Sequence, residues 1–433
     1  MKPARKATPP PETVTIERIG AEGDGVAHLA GGAPVYARLT LPGETARLRP
    51  LRPRGDGWVA EAEAIETASP DRAAPPCGHF GRCGGCALQH WADAPYRAWK
   101  AGLVAFALRR AGFSPPDPLP FRHGLPGERR RMDFAARRIG RRIVLGLHAA
   151  GSAEVEDLAG CLVLHPALQA LLPPLRTLFA ALSALRREGS AIVNLLDAGP
   201  DLLLRTDGPP TLDDRTALAQ FAADHGLPRV AHAERGNEPE TIALLRPAAT
   251  TLSGVAVRPP PGAFLQATEA GEQAIVEAVL AGVPEKPTGR ARIAELYAGC
   301  GTLTFALARR ARVTAWEGDA SAFGALRQAV NQGGLAGQVE PVARDLAVQP
   351  VSAKELGAYA AVVLDPPHAG AAAQIGQVAA SGVKTVIYVS CNPASLGRDA
   401  RVLQGAGYRL RAVTAIDQFL YSARVESVSV FAR

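Results

Sequence analysis

The feature that most constrains the fold is an alternation of predicted strands and helices from about residue 258 to residue 433. Strands and helices that alternate in this way build a mostly parallel β-sheet covered by helices. Two of the predicted strands end in polar motifs, Asp365-Pro-Pro and Ser390-Cys391-Asn-Pro. Because open α/β sheets place their chemistry at the carboxyl ends of parallel strands, these motifs predict a functional site.

Cys391 is the first candidate reactive residue. A thiol at a strand end, beside an acidic loop, indicates covalent attack on a substrate rather than simple binding. Most lone cysteines, however, are buried and pack as small apolar side chains. Its position alone therefore leaves both interpretations open.

A glycine-containing turn, Gly299-Cys-Gly301, joins a predicted strand to a predicted helix. The third glycine of the dinucleotide-binding fingerprint is missing, because Thr304 occupies its position, so a cofactor without a pyrophosphate group is favoured. Glu317 ends the next predicted strand, where a carboxylate can accept hydrogen bonds from both ribose hydroxyls. Together these features indicate S-adenosylmethionine.

The composition indicates a soluble protein of more than one domain. A chain of 433 residues is too long for a single hydrophobic core. We find no apolar run long enough to cross a membrane and no signal-peptide core in the first ten residues, so we expect a cytoplasmic protein without a membrane partner. The net charge of +7 favours a polyanionic partner such as RNA.

Four of the six cysteines suggest a metal site. In a reducing cytosol, clustered cysteines are metal ligands more often than disulfides. Cys77, Cys83 and Cys86 contain a single CxxC pair, whereas zinc sites usually contain two such pairs. With Cys161 as a distant fourth ligand, the set is better suited to a [4Fe–4S] cluster, while zinc and ordinary cysteines remain the alternatives.

Residues upstream of this α/β region predict two further β structures. Five short strands within 11–66, the first over 14–19, are typical of a small OB-type barrel, which often binds nucleic acid. The alternative is a purely structural barrel. An arginine-dense segment, 128–148, predicts strands whose arginines line one face to contact phosphates, with a solvated edge strand as the alternative.

Taken together, these motifs resemble the RNA (uracil-5-)-methyltransferase family, specifically its 23S ribosomal RNA branch, along nearly the whole chain. The resemblance implies an OB-like β-barrel of the TRAM type over 11–67 and a central α+β iron–sulfur domain over 68–257. It implies a class I, Rossmann-like methyltransferase domain over 258–433, with 93–123 packing on that domain. The implied partner is ribosomal RNA, and we expect a monomer.

The resemblance also implies roles for single residues. Cys391 would be the nucleophile and Glu426 the general base in forming 5-methyluridine through a covalent bond from Cys391 to C6 of the base. The S-adenosylmethionine site would contain Gln266, Tyr297, Gly299, Thr302, Glu317, Asp345 and Asp365. The ligands of a [4Fe–4S] cluster would be Cys77, Cys83, Cys86 and Cys161. Three positions depart from the family pattern, His368 for an arginine, Arg424 for a histidine and Thr268 for an asparagine.

Other functions remain to be compared with this one. A cytosine-5 methyltransferase usually has a cysteine after Asp-Pro-Pro, where this chain has His368. An N6-adenine methyltransferase would use Asp-Pro-Pro-Tyr and would have no use for Cys391. Methylation of transfer RNA and a non-catalytic iron–sulfur RNA-binding protein are the two remaining alternatives. Transfer RNA members generally lack the barrel and the cysteine set, which favours ribosomal RNA.

Overall fold

The computed structural model describes residues 8–284 and 292–433, so residues 1–7 of the N-terminal segment lie outside the described ranges. Its residues divide into two compact units. The first comprises the residues up to Leu103 with His148–Glu154 and Phe419–Arg424, and the second comprises Val104–Leu147, Val155–Gln418 and Val425–Arg433. The predicted segments 11–67, 68–257 and 258–433 follow a different division, and their boundaries stay a prediction. Within the described ranges, no helix combines the length and the apolarity that crossing a membrane requires.

The first unit contains a six-stranded sheet with the order β1-β5-β6-β4-β3-β2. Its strands are β1 (Glu12–Thr15), β2 (Arg18–Ile19), β3 (Gly25–His28), β4 (Pro34–Ala37), β5 (Thr45–Arg54) and β6 (Gly57–Thr67). Only Ile16 and Glu17 separate the edge strands β1 and β2, and their amides donate to the carbonyls of Glu44 and Val26. The sheet therefore curls until its edges approach each other, as in a barrel. For the same reason the predicted first strand, 14–19, is two strands.

The next elements lead into a seven-stranded sheet with the order β10-β9-β8-β11-β12-β13-β14. They are α1 (Asp93–Arg110), β7 (Phe121–Arg122), β8 (Arg131–Ile139), β9 (Arg142–His148), β10 (Val155–Asp157), α2 (Pro166–Gln169), α3 (Leu172–Ala181), β11 (Glu188–Leu196), β12 (Gly199–Thr206), α4 (Leu212–Asp224), β13 (Arg229–Glu234) and β14 (Glu240–Leu244). Phe134, Leu175 and Phe221 are buried together, so α3 and α4 cover one face of the sheet.

Two arginines of segment 128–148 have partners inside the fold, and the phosphate-binding face stays a prediction. Strand β8 lies inside the sheet between β9 and β11, so it is not an edge strand. Arg138 donates to the carbonyls of Phe179 and Leu182, which the C-terminal end of α3 leaves without helical partners. Arg130 forms an ion pair with Glu272 at 2.6 Å. These two side chains therefore stabilise the fold.

The remaining elements form the predicted α/β region. They are β15 (Thr250–Leu252), β16 (Val255–Val257), α5 (Glu269–Gly282), β17 (Arg292–Leu296), α6 (Thr304–Ala308), β18 (Arg312–Glu317), α7 (Ala320–Gln332), β19 (Val339–Ala343), α8 (Ala353–Leu356), β20 (Ala361–Leu364), α9 (Ala372–Ala380), β21 (Thr385–Ser390), α10 (Pro393–Gly405), β22 (Arg409–Ile416) and β23 (Glu426–Ala432). The eight-stranded sheet has the order β19-β18-β17-β20-β21-β23-β22-β7. The first five strands are parallel, which confirms the predicted sheet, and β23 is antiparallel to both neighbours.

The strand order of this sheet determines where a ligand can bind. The chain passes from β17 to β18 on one side, and β20 then returns to pair with β17 on the other. Such a reversal opens a crevice at the carboxyl ends of the two central strands. Strand β7 pairs with β22 at the far edge, so part of the segment 93–123 belongs to this sheet.

A buried ion pair in the seven-stranded sheet allows a test of the fold. Arg229 donates two hydrogen bonds of 2.7 Å to Asp201, whose side chain is 1% exposed. Replacing Arg229 with Met would leave a buried carboxylate without its cation, so we expect the free energy of unfolding to fall by about 3–5 kcal/mol. The exposed pair between Arg235 and Glu188 is the control, and Arg235→Met should cost less than about 1 kcal/mol. If urea unfolding showed that Arg229→Met and Arg235→Met lose the same free energy of unfolding, the stabilising role of the buried pair would be contradicted.

Candidate active site

The turn after β17 leaves an open surface beside its backbone. Tyr297, Gly299 and Gly301 all have left-handed φ angles, of 67°, 58° and 103°. A Cβ atom at Gly301 would lie 2.5 Å from Phe305 and 2.9 Å from Leu326, so this glycine allows the following helices to pack closely. A Cβ atom at Gly299 would meet nothing within 4 Å. The space beside Gly299 is therefore where a cofactor can approach the backbone.

Glu317 lies beside this turn, as the sequence predicts. Its two carboxylate oxygens accept hydrogen bonds from the amides of Gly299 at 2.7 Å and of Asp319 at 2.6 Å. Each carboxylate oxygen has a second lone pair, so both can still accept from a ligand hydroxyl. The turn and the end of β18 thus hold the carboxylate in one orientation.

Two further predicted cofactor residues lie at the same edge of the sheet. Asp345 follows β19, and its Oδ1 accepts from the amide of Ala347 at 2.9 Å. A Cβ atom at Gly318 would lie 3.1 Å from the Cα of Asp345, so the chain ends of β18 and β19 approach closely there. Thr302 lies in the turn before α6. Tyr297, Gly299, Thr302, Glu317 and Asp345 therefore lie at or just after the ends of three adjacent strands, and their binding of S-adenosylmethionine stays a prediction.

The residues around Cys391 fix the backbone that carries its thiol. Ser390 Oγ donates to the carbonyl of Asn392 at 3.0 Å. Asn392 Oδ1 accepts from the amide of Ala394 and caps α10, while its Nδ2 donates to the carbonyl of His368 at 3.0 Å. Half-buried Cys391 thus lies just before a helix N-terminus, whose positive end favours a thiolate.

The strand register brings Cys391 and Glu426 together. Strands β21 and β23 are antiparallel, with Ser390 opposite Ser427. Cys391 directly follows the last residue of β21, and Glu426 is the first residue of β23. The predicted nucleophile and the predicted base therefore flank this last pair of the two strands.

A buried chain of side-chain amides joins two carboxyl groups at this site. Gln418 Nε2 donates to Glu426 Oε2 and to Gln266 Oε1, both at 2.8 Å. Gln266 Nε2 in turn lies 3.4 Å from Asp365 Oδ2, a long hydrogen bond. The predicted residues Gln266, Asp365 and Glu426 thus share one network. Gln418 was missed in the sequence, because a glutamine in the connection between two strands carries no pattern that distinguishes it.

Burial raises the pKa of both carboxyl groups in this network. Glu426 is 4% exposed, and burial followed by the charge of Asp365 raises its pKa well above the usual value. Asp365 is half-buried as a residue, but its carboxyl group is enclosed and burial raises its pKa too. A pKa nearer neutrality makes a carboxylate a stronger base, as proton abstraction from carbon requires.

A third buried carboxyl group was also missed. Glu295 lies inside β17 and is 2% exposed, and burial raises its pKa to about 8. The charges of Asp365 and Glu317 add to this increase. The sequence shows it only as one polar residue within an apolar strand. Glu295, Asp365 and Glu426 are therefore three carboxyl groups whose pKa burial raises in this part of the domain.

The three departures from the family pattern have different structural outcomes. Thr268 caps α5, because its side chain accepts from the amide of Gly271 at 2.9 Å. Threonine and asparagine both serve as helix N-caps, so this departure preserves a structural function. His368 contributes its carbonyl oxygen to Asn392, which does not depend on the side chain. Arg424 belongs to the first unit.

The cysteines of the predicted metal site belong to both units. Cys77, Cys83 and Cys86 belong to the first unit and Cys161 to the second. Within each described range, 8–284 and 292–433, no three His, Cys, Asp or Glu side chains are found grouped in a way that could hold a metal. The [4Fe–4S] cluster and the alternative zinc site stay predictions.

Two family models match this chain. Residues 349–433, which include Asp365, Cys391 and Glu426, match the model described as tRNA (Uracil-5-)-methyltransferase. Residues 275–389 match the model described as Conserved hypothetical protein 95. The first match covers the half of the sheet that carries the predicted nucleophile and base.

Known proteins resemble the chain over nearly its full length. An uncharacterized RNA methyltransferase from Rhizobium meliloti is 42% identical, over 96% of this chain and 98% of its own. A 23S rRNA (uracil(1939)-C(5))-methyltransferase from Chromohalobacter salexigens is 34% identical, over 97% and 89%. The crystal structure of Pyrococcus abyssi tRNA (uracil-54, C5)-methyltransferase with S-adenosyl-L-homocysteine has the same fold, with a TM-score of 0.70 at 18% identity over 97% and 100%. The chain belongs to the RNA (uracil-5-)-methyltransferase family, whose members depend on S-adenosylmethionine.

Proposed function

We propose that this enzyme methylates C5 of a uridine in 23S ribosomal RNA through a covalent bond between Cys391 and C6 of the base. The observation that supports the proposal is the pairing of Ser390 on β21 with Ser427 on β23, which Cys391 and Glu426 directly flank. Asp365 and Gln266 lie in the same network as the base. Nucleophile, base and polar groups for a planar substrate thus converge on one edge of the sheet.

The covalent step answers a chemical difficulty. C5 of uracil is too weak a nucleophile to take a methyl group directly. Addition of the Cys391 thiolate to C6 forms an S–C6 bond and moves the electrons of the C5–C6 double bond toward C5 and O4. The carbon at C5 then has the character of an enolate carbon. The helix N-terminus after Cys391 favours the thiolate that begins this step.

Glu426 completes the reaction. After methylation, C5 still carries its original proton, and the uracil ring has not regained its C5–C6 double bond. The Glu426 carboxylate removes this proton, the C5–C6 double bond forms again, and the S–C6 bond breaks to return the Cys391 thiolate. The uridine must be turned out of any stem to reach both side chains.

The residues around Gly299 suit S-adenosylmethionine, which when bound supplies the methyl group that C5 receives. The open space at Gly299 admits the cofactor beside the turn. Glu317 would accept from the ribose hydroxyls, and Asp345 would lie near the adenine.

The similarity to a 23S rRNA methyltransferase along both chains favours ribosomal RNA as the substrate. Transfer RNA is the alternative, which the name of the Pyrococcus abyssi structure and of the matching family model would suggest. A non-catalytic RNA-binding protein is disfavoured, because Cys391, Glu426 and Asp365 lie together. The curled six-stranded sheet would serve as the RNA-binding TRAM barrel. The iron–sulfur cluster stays a prediction.

Substitution of the nucleophile should abolish the reaction. With Cys391→Ala, we expect methylation of a 23S ribosomal RNA fragment to fall on the order of 10⁴-fold or more. Glu340→Gln is the control, since it changes an exposed carboxylate on β19 away from the proposed nucleophile. Nucleoside mass spectrometry measures the amount of 5-methyluridine that each variant forms. A fully active Cys391→Ala protein would exclude the covalent route.

Substitution of the base should stop the reaction after methylation. With Glu426→Gln, we expect kcat to fall about 10²- to 10⁴-fold while the methylated RNA remains attached to Cys391. A denaturing gel with labelled RNA measures the attached fraction. The control is Glu340→Gln, which changes an exposed carboxylate on β19. A Glu426→Gln protein that releases product at the normal rate would show that another group is the base.

Substitution at the cofactor site should weaken the binding of S-adenosylmethionine, measured in the absence of RNA. Loss of the Glu317 carboxylate in Glu317→Ala removes the acceptor for the ribose, so we expect the Kd for S-adenosylmethionine to rise about 10- to 100-fold. Calorimetric titration of the protein alone measures this constant. Glu340→Ala should leave it unchanged. An unaltered Kd in Glu317→Ala would place the ribose elsewhere.

A further inference from the structure

We propose that Gln418 is a positioning residue that holds the general base and selects which oxygen of Glu426 takes the C5 proton. The inference rests on the proposed function, because it assumes that Glu426 is the base. It adds a residue to the site that neither the family resemblance nor the comparisons assign. Three contacts of the Gln418 amide carry it.

The orientation of the Gln418 amide is determined by its surroundings. The backbone amide of Ala267 lies 2.9 Å from Gln418 Oε1, and an N–H group can only donate, so this atom must be the oxygen. Gln418 is 3% exposed. A Cβ atom at Gly271 would lie 2.7 Å from the Cβ of Gln418, so α5 packs directly against the side chain. Its Nε2 must therefore point toward Gln266 and Glu426.

This orientation makes the two oxygens of Glu426 different. Oε2 accepts from Gln418 Nε2 at 2.8 Å. Oε1 is buried and has no partner at good hydrogen-bond geometry among the described residues, while the Ser427 amide lies near enough to the carboxyl group to lower its pKa slightly. A buried carboxylate oxygen without a partner is unfavourable unless a ligand approaches it. We infer that Oε1 is the atom that faces the substrate and that Gln418 holds Oε2 away from it.

The same amide sets the orientation of Gln266. Because Gln418 Nε2 donates to Gln266 Oε1 at 2.8 Å, the Nε2 of Gln266 must point away, toward Asp365. One side chain thus fixes the directions of both a base and an amide of the pocket. A loss of Gln418 would leave Glu426 free to rotate, and small displacements of a catalytic group reduce rates strongly.

The chain offers a matched control for a merely structural function. Gln374 is also fully buried, and its amide accepts from and donates to the backbone of Val351, both at 2.8 Å. Gln418→Met and Gln374→Met each replace one buried amide by a side chain of similar shape. If Gln418 only stabilised the domain, the two variants would behave alike.

The test follows the covalent complex rather than activity alone. The Gln418→Met, Gln374→Met and Glu426→Gln proteins are mixed with S-adenosylmethionine and a labelled 23S ribosomal RNA fragment, and the attached RNA is separated on a denaturing gel. For Gln418→Met we expect kcat to fall about 10- to 100-fold, with methylated RNA accumulating on Cys391. Gln374→Met should accumulate no methylated RNA on Cys391.

The outcomes separate this inference from the proposed function. If methylated RNA accumulated on Cys391 in Glu426→Gln but not in Gln418→Met, the inference would be overturned and Glu426 would remain the general base. Normal product release by Glu426→Gln would overturn both. If Gln418→Met no longer bound S-adenosylmethionine, Gln418→Glu would decide, since it keeps an acceptor for the Ala267 amide and lacks the amide donor. Accumulation in that variant supports the inference, and its absence overturns it.

Discussion

The antiparallel pairing of β21 with β23 is the constraint on which the proposed chemistry depends. Ser390 lies opposite Ser427, and Cys391 and Glu426 directly flank this pair. A slip of one residue would move Glu426 to the other face of the sheet and separate base from nucleophile. The buried apolar side chains of both strands oppose such a slip, because it would expose them. The final hairpin is thus as important to the site as the parallel strands that bind the cofactor.

The site concentrates carboxyl groups in a region with little water. Burial raises the pKa of both Glu426 and Asp365. The amide of Gln418 opposes this effect at Glu426, since a hydrogen bond to the carboxylate favours the charged form. The pKa of Glu426 nevertheless stays well above its usual value, so its carboxylate is a stronger base than that of a solvated glutamate.

The sequence predicted the parts of this structure that follow local patterns. Alternating strands and helices, the glycine turn with Glu317, and the motifs ending at Asp365 and Cys391 were all found where expected. The structural function of Arg138 was not predicted, because sequence does not show that Arg138 meets the carbonyls of α3. Gln418 was missed for a similar reason: its partners Ala267 and Gln266 lie more than a hundred residues away.

Trapping the enzyme on 5-fluorouridine tests the central claim most directly. Fluorine at C5 cannot leave as a cation, so Glu426 would have no proton to remove and the S–C6 bond could not break. A 23S ribosomal RNA fragment with 5-fluorouridine should therefore form, with S-adenosylmethionine, a complex that survives denaturation. The account predicts that peptide mass mapping finds the nucleotide on Cys391 and that Cys391→Ala forms no complex. Attachment to another residue, or no attachment with an active enzyme, would contradict it.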